Sequence, residues 1–402
     1  MDGNTIIRKV EDINKGGVEI NSIYNCNCLD LMSRMPDNSI DCVITSPPYW
    51  QLRDYGYEGQ WGLEPTFQQY LEHLWQLMDE IYRVLKPTGT AWINLGDTYG
   101  TKSGNMTSGN MFDNKIKYTG GIENYAKPND LHKCLLLIPH RFAIGCIDRG
   151  WIVRNDIIWA KRNGMPESTQ DRFSKKHEYF FFMVKSEKYF FDLDAIRGKS
   201  KDPKDDLRRI TQEYNRKYKG GESVNGMTNN NTDNEILDGL LKGKNPGSVS
   251  DFWDIPTKPS SEKHYASYND SLLVKPVLAG CPEFVCNECG KPRNKVFEEH
   301  EEITRTKIAK RQNGIMDASP KSGRRTSTFN GGSQRDVIGL SDCGCNAGFQ
   351  GGVIYDPFMG TGSTAEVAIR SKRNFIGSEM SADYCNIAEK RIEPYLTQLT
   401  LL

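Results

Sequence analysis

Two short stretches of the chain carry residue types that could do chemistry. The first is Ser46-Pro47-Pro48-Tyr49-Trp50, directly after the β-branched apolar run Val43-Ile44-Thr45. That run reads as a buried strand. It ends in a rigid corner that is poor in donors, because two prolines lack backbone N–H groups, and two aromatic side chains follow at once. The second stretch is Asp356-Pro357-Phe358-Met359-Gly360-Thr361-Gly362-Ser363-Thr364, which follows the strand-like Gly352-Val353-Ile354-Tyr355. Gly360 and Gly362 let backbone come close to a ligand, and the helix expected after them offers free N–H groups. Glu379 closes the next strand-like run and is placed to accept two hydroxyls of a ribose.

The ligand of such a turn can be narrowed. No lysine follows the glycines as in a P-loop, and the third glycine of a dinucleotide fingerprint is missing. Asp356 at the mouth would repel a pyrophosphate but could accept hydrogen bonds from a cationic, amino-bearing ligand. S-adenosylmethionine, with its ribose and its ammonium and sulfonium charges, fits. A tight turn without a ligand is the plainer alternative.

The elements needed to position these residues are visible around them. Thr66 can cap a helix with Gln69 as its capping-box partner. Apolar residues then recur at Phe67, Tyr70, Leu71, Leu74, Leu77, Met78, Ile81, Val84 and Leu85 with helical period. Lys86-Pro87-Thr88-Gly89 should end that helix, and Ala91-Trp92-Ile93-Asn94-Leu95 reads as the next strand. Strand, helix and strand in that order favour a parallel sheet. Residues 151–161 and 178–185 read as two more strands, 365–371 as a helix, 374–379 as a strand and 382–391 as a last helix. Residues 100–127 form a long Gly/Asn/Thr-rich loop, and 199–249 form a polar insertion.

At 402 residues the chain could hold two or three domains at about 150 residues each. Lys+Arg 52 against Asp+Glu 52 gives no overall steer toward nucleic acid, so any such preference must be local. No run approaches the roughly 20 apolar residues of a membrane span. Met1-Asp2-Gly3-Asn4 lacks the zones of a signal peptide, so the expectation is a cytoplasmic protein with no membrane partner. A disulfide scaffold does not suit a chain of this size. Cys286-Asn287-Glu288-Cys289 and Cys343-Gly344-Cys345 instead form two half-sites across a long loop, the arrangement of a tetrahedral zinc site. Unrelated reduced thiols are the alternative, and Cys281 is left over.

Taken together, the two motifs resemble those of the DNA amino-methyltransferases, which methylate cytosine N4 or adenine N6 with S-adenosylmethionine. The Ser-Pro-Pro-Tyr stretch is similar to their catalytic motif and Asp356–Thr364 to their cofactor motif. Catalytic motif first and cofactor motif last is the order of the family's β group. The resemblance implies an α/β, Rossmann-like fold with a mixed, mostly parallel sheet and permuted motif order, with a catalytic half over 1–198 and a cofactor half over 251–280 and 346–402. Composition adds a polar insertion over 199–250 that could serve target recognition, and the cysteine spacing adds an inserted four-cysteine zinc knuckle with a basic loop over 281–345. Asp30 resembles the family's acidic residue near the cofactor, and residues 154–161 and 177–185 resemble its strands near the target base. His264 and Ala266 lie in a segment, 264–272, similar to one that packs beside it, with Asn269 where the family has proline.

The resemblance also gives the corner a purpose. An exocyclic amine is a poor nucleophile because its lone pair is delocalised into the ring. Ser46 Oγ and the Pro47 carbonyl would engage its N–H groups, with the prolines aiming the carbonyl beforehand. Tyr49 would stack on a base rotated out of the duplex. Cofactor contacts would come from Asp30, Asp356, Pro357, Phe358, Gly360, Gly362, Ser363, Thr364, Glu379, His264 and Ala266. Zinc ligands would be Cys286, Cys289, Cys343 and Cys345. Serine at the head of the motif favours N4-cytosine over N6-adenine. Methylation at cytosine C5 needs a cysteine nucleophile from a Pro-Cys pair, and the sequence has none. An RNA or protein amide methyltransferase would carry its cofactor motif first, and a non-catalytic zinc protein would need neither motif. The implied partner is double-stranded DNA, contacted through basic stretches such as 303–335, and the resemblance allows a cognate restriction nuclease as a second.

Overall fold

The computed structural model describes residues 6–9, 11, 13, 17–100, 131–164, 167–196, 249–257, 269–299 and 335–399. The chain divides into one unit of residues 1–196, 250–293 and 343–402, and another of 197–249 and 294–342. In chain order the strands are β1 (Ile7–Arg8), β2 (Ser22–Tyr24), β3 (Ile40–Thr45), β4 (Leu85–Leu95), β5 (Ile152–Ala160), β6 (His177–Val184), β7 (Phe252–Asp254), β8 (Val285–Cys286), β9 (Lys295–Glu299), β10 (Arg335–Leu340), β11 (Phe349–Gln350), β12 (Val353–Asp356) and β13 (Asn374–Ser378). The helices are α1 (Cys28–Met32), α2 (Phe67–Val84), α3 (Ile138–Asp148), α4 (Asp270–Gly280), α5 (Ser363–Arg370) and α6 (Ala382–Leu399). In the second unit, β9 and β10 form an antiparallel pair.

The first unit is built on a nine-stranded sheet ordered β1-β2-β13-β12-β3-β4-β6-β5-β7. Only β6 runs against the rest, pairing antiparallel with both β4 and β5. All six residues of β3 are buried, as a central strand covered on both faces requires. One core cluster joins one face of the sheet to α1, α2 and α3, among them Leu31, Leu74 and Phe142. The other joins the opposite face to α4, α5 and α6, through Leu273, Ala368 and Ala388. The result is an α/β three-layer unit with a mostly parallel sheet.

The cap of α2 is as expected at its first contact, where Thr66 Oγ1 accepts from the Gln69 N–H at 3.2 Å. The Lys86-Pro87-Thr88-Gly89 segment follows the end of α2 at Val84, as expected, and already belongs to β4. Ile40 pairs with Leu85 and Cys42 with Thr90, so residues 86–89 bulge opposite Asp41. The bulge brings Lys86 Nζ to 2.7 Å from Asp41 Oδ1, while Asp41 Oδ2 accepts from the Val353 N–H at 2.9 Å. Asn269, where proline was expected from the resemblance, caps α4 by accepting from the Ser271 N–H at 3.0 Å. Among the described residues no helix is long and apolar enough to cross a membrane.

Candidate active site

The two motifs sit side by side despite their distance in sequence. β12 lies between β13 and β3, with Ile354 opposite Cys42 and Tyr355 opposite Val43. The strands are parallel, so both motifs emerge at the same carboxyl edge, where open α/β sheets bind ligands. Thr45 Oγ1 donates to Asp356 Oδ1 at 2.7 Å and ties the two strand ends together. A cleft of about 360 Å³ opens there. Ser46, Pro47, Pro48 and Tyr49 form one part of its lining, and Pro357, Phe358, Gly360 and Glu379 another.

On the first wall the hydroxyls have defined directions. Asn94 Nδ2 donates to the Tyr179 carbonyl at 3.0 Å, which turns Asn94 Oδ1 toward the corner. Ser46 Oγ donates to that oxygen at 3.4 Å. The Tyr49 hydroxyl lies 3.0 Å from the same oxygen and 2.8 Å from Glu178 Oε2. The carboxylate is the stronger acceptor and draws the tyrosine proton, leaving Asn94 to the serine. With its proton so engaged, Ser46 Oγ presents lone pairs to the cleft. Burial, and then the charge of Glu178, push the Tyr49 phenol well above its ordinary value, so it stays a neutral donor. A Cβ on Gly96 would lie 2.6 Å from the Tyr49 ring, so glycine is needed there for the ring to settle. Tyr70 donates to the Pro48 carbonyl at 2.8 Å. The second aromatic, Trp50, turns into the core and donates from Nε1 to the Glu64 carbonyl at 2.9 Å.

On the second wall, Glu379 lines the cleft as expected of a ribose acceptor. Its Oε2 accepts from the Gly360 N–H at 2.9 Å and its Oε1 from the Ser381 N–H at 2.8 Å, which leaves each oxygen a further lone pair. Burial raises its carboxyl, against the lowering effect of those N–H groups. Gly360 and Gly362 have φ of 55° and 83°, the left-handed region, and a Cβ on Gly362 would come within 2.8 Å of the Ala388 Cβ.

Several expected ligand contacts are placed differently. Asp356 does not line the cleft. It is buried beneath the turn, where Oδ1 accepts from Thr45 and from the Phe358 N–H (3.0 Å) and Oδ2 from Thr364 Oγ1 (2.6 Å). The acid therefore shapes the turn from inside rather than meeting a ligand at the mouth. Thr364 is occupied in the same way, and Ser363 Oγ accepts from Arg391 at 2.9 Å. Asp30 stands on the exposed side of α1, outside the lining, while its neighbours Cys26, Asn27 and Cys28 do line the cleft. His264 and Ala266 lie outside the described residues, as do 101–130, 197–248 and 300–334.

Other residues of the cleft lie outside the two motifs. Asn94 is one, and its only signal in sequence was a polar residue inside an apolar strand. Glu178 and Lys161 are ion-paired on the strands β6 and just beyond β5. Trp61, whose ring centroid is 5.4 Å from that of Phe358, and Tyr57, 2.7 Å from Ser381 Oγ, carry the segment after the corner across to the second wall.

The four cysteines of the two half-sites come together, with all sulfurs within 4.8 Å of one another. A tetrahedral zinc with Zn–S bonds near 2.3 Å spaces its sulfurs about 3.8 Å apart, so the donor set fits such an ion. β8 and β11 pair antiparallel and carry Cys286 at their ladder. Cys281 is not in the cluster and is buried in the core, where burial raises its thiol.

A glycine turn and an acid on neighbouring ends of a mostly parallel sheet thus share one cleft with an aromatic corner, the arrangement of an α/β enzyme site. The family described as DNA methylase matches residues 40–390, and the chain belongs to it: it is a DNA methyltransferase of the N4/N6 amino group. Its motif order is that of the β group. The chain is 27% identical over 377 residues to the type II methyltransferase M.Cfr9I of Citrobacter freundii, covering 92% of this chain and 87% of that one. It is 42% identical over 185 residues to the type II methyltransferase M.XycI of Xanthomonas campestris pv. cyanopsidis, covering 44% and 58%. Among solved structures it is similar to PvuII DNA methyltransferase (cytosine-N4-specific), at 13% identity over 94% of this chain and 92% of that one, with a TM-score of 0.47.

Proposed function

We propose that the protein methylates the N4 amine of a cytosine swung out of double-stranded DNA, with S-adenosylmethionine as donor. The observation that carries this reading is the Ser46 hydroxyl, whose proton is taken by Asn94 so that its lone pairs face the cleft. A substrate amine donates one N–H to Ser46 Oγ and the other to the Pro47 carbonyl, and its nitrogen lone pair is freed from the ring. Tyr49 supplies the stacking face. S-adenosylmethionine, when bound, supplies a methyl group on a positively charged sulfur. Glu379 accepts its ribose hydroxyls, Gly360 and Gly362 admit it to the turn, Pro357 and Phe358 border it, and Asp356, Ser363 and Thr364 hold the turn in shape. Removal from the stack is required because the amine is otherwise paired.

Nucleoside analysis of DNA methylated by the protein tests the choice of base: N4-methylcytosine supports it, and N6-methyladenine replaces it with the other reaction on this fold. Methyl transfer to RNA or protein with none to DNA would overturn both. By their sequence, the basic stretches of the insertions are natural phosphate contacts and the seat of target recognition. A cytoplasmic setting and a companion restriction nuclease accord with the type II names of the relatives.

Cys286, Cys289, Cys343 and Cys345 are proposed to hold one structural zinc. Elemental analysis of purified protein should find about one zinc per chain, and Cys289→Ser or Cys343→Ser should lower that content and the melting temperature together. A fully active, zinc-free protein would remove the metal from the account.

A further inference from the structure

We propose that Lys161, held by Glu178, selects cytosine over adenine by donating to the O2 carbonyl of the swung-out base; the proposal rests on the N4-cytosine reading above. Lys161 follows the last residue of β5, and Trp159 and Glu178 are partners across the β5–β6 ladder, so both charged side chains reach the carboxyl edge of the sheet. Both line the cleft together with Ser46, Tyr49 and Asn94. Glu178 is shared: one oxygen takes the Tyr49 proton and the other the Lys161 ammonium. Lys161 Nζ also stands 4.3 Å from the centroid of the Trp159 ring. Its side chain is only 21% exposed. A lysine so fixed has given up the rotamer freedom that surface lysines keep. An ammonium has three N–H donors, and the bond to Glu178 uses one of them.

The edges of the two bases then differ at this wall. Beyond the amine, cytosine presents the N3 and O2 acceptors in succession. Adenine presents the N1 acceptor and then a C–H. A cation in reach of the far position satisfies cytosine and faces nothing in adenine, and a binding site whose polar group is left unpaired rejects the analogue strongly. The same carboxylate fixes the Tyr49 hydroxyl and the ammonium, so the donor is held in register with the stacking ring.

The test compares kcat/KM on duplexes carrying cytosine or adenine at the target position, for the wild-type protein, K161R and the double variant K161M/E178Q, which leaves no unpaired charge behind. The cytosine preference should fall about 10- to 150-fold in K161M/E178Q, the range of one hydrogen bond to a charged group, and should largely survive in K161R. Loss of Glu178 disturbs Tyr49 for both bases alike, so the ratio isolates the edge contact. Calorimetric affinity for S-adenosylmethionine reports folding of each variant and should stay within threefold of wild type. Parallel loss on both bases, or an unchanged preference, would overturn the proposal while N4-methylcytosine as wild-type product left the base assignment standing. N6-methyladenine as that product would overturn the two together.

Discussion

Tyr49→Ala should lower the rate of methyl transfer by roughly 5- to 150-fold, the equivalent of one lost base stack, while affinity for S-adenosylmethionine changes less than threefold. The asymmetry comes from position. Tyr49 belongs to the corner after β3, and Glu379, the proposed ribose acceptor, belongs to the other wall. Tyr49→Phe separates the ring from its hydroxyl. It keeps the stacking face and loses the bond to Glu178, and should cost about tenfold. Single-turnover transfer of a labelled methyl group to duplex DNA, with calorimetry for the cofactor, measures both quantities. Full activity in Tyr49→Ala would mean that the ring is not the platform for the base.

Asp356→Ala should destabilise the fold by about 3–5 kcal/mol and weaken the cofactor site through the turn. The side chain receives three hydrogen bonds, from Thr45, Phe358 and Thr364, in a fully buried position. Its loss strands two hydroxyls and a backbone N–H without an acceptor, and the penalty for each falls in the range of about 1–3 kcal/mol without being additive. Asp356→Asn keeps one acceptor oxygen and should recover part of the loss. Denaturant unfolding followed alongside cofactor calorimetry distinguishes this role from direct contact. A variant of native stability that no longer binds cofactor would put the carboxylate on the ligand instead.

The parts of the molecule that were readable in sequence are those with a local cause. β3 announced itself by its β-branched run, α2 by its period and its threonine cap, and the glycine turn by residues that only a tight backbone needs. α3 and α4 were not anticipated. Pro139 at the start of α3 and Pro276 inside α4 look like breaks, and α4 is apolar on most sides because it is buried between sheet and neighbours. Lys86-Pro87-Thr88-Gly89 marked the end of α2 correctly, but not that the same residues form a bulge within β4. The direction of Asp356 could not be read, since it depends on Thr45, 311 positions earlier, being its neighbour in the sheet. Asp30, an acid at the expected place in the chain, stands exposed on α1 outside the lining of the cleft. Glu178 and Lys161 lay in segments whose resemblance placed them near the target base, but their pairing could not be read, because it depends on the register of β5 against β6.

The placing of β12 and β13 has a consequence for how the chain can be made. These strands come near the end of the sequence yet fill the middle of the sheet, between β2 and β3. A ribosome therefore releases the flanks first, and the facing edges of β2 and β3 stay open until residues 353–378 emerge. Trimming the carboxyl end past Val353 would thus remove the keystone of the arch rather than shorten its rim, and shortened chains should gather in aggregates through those waiting edges.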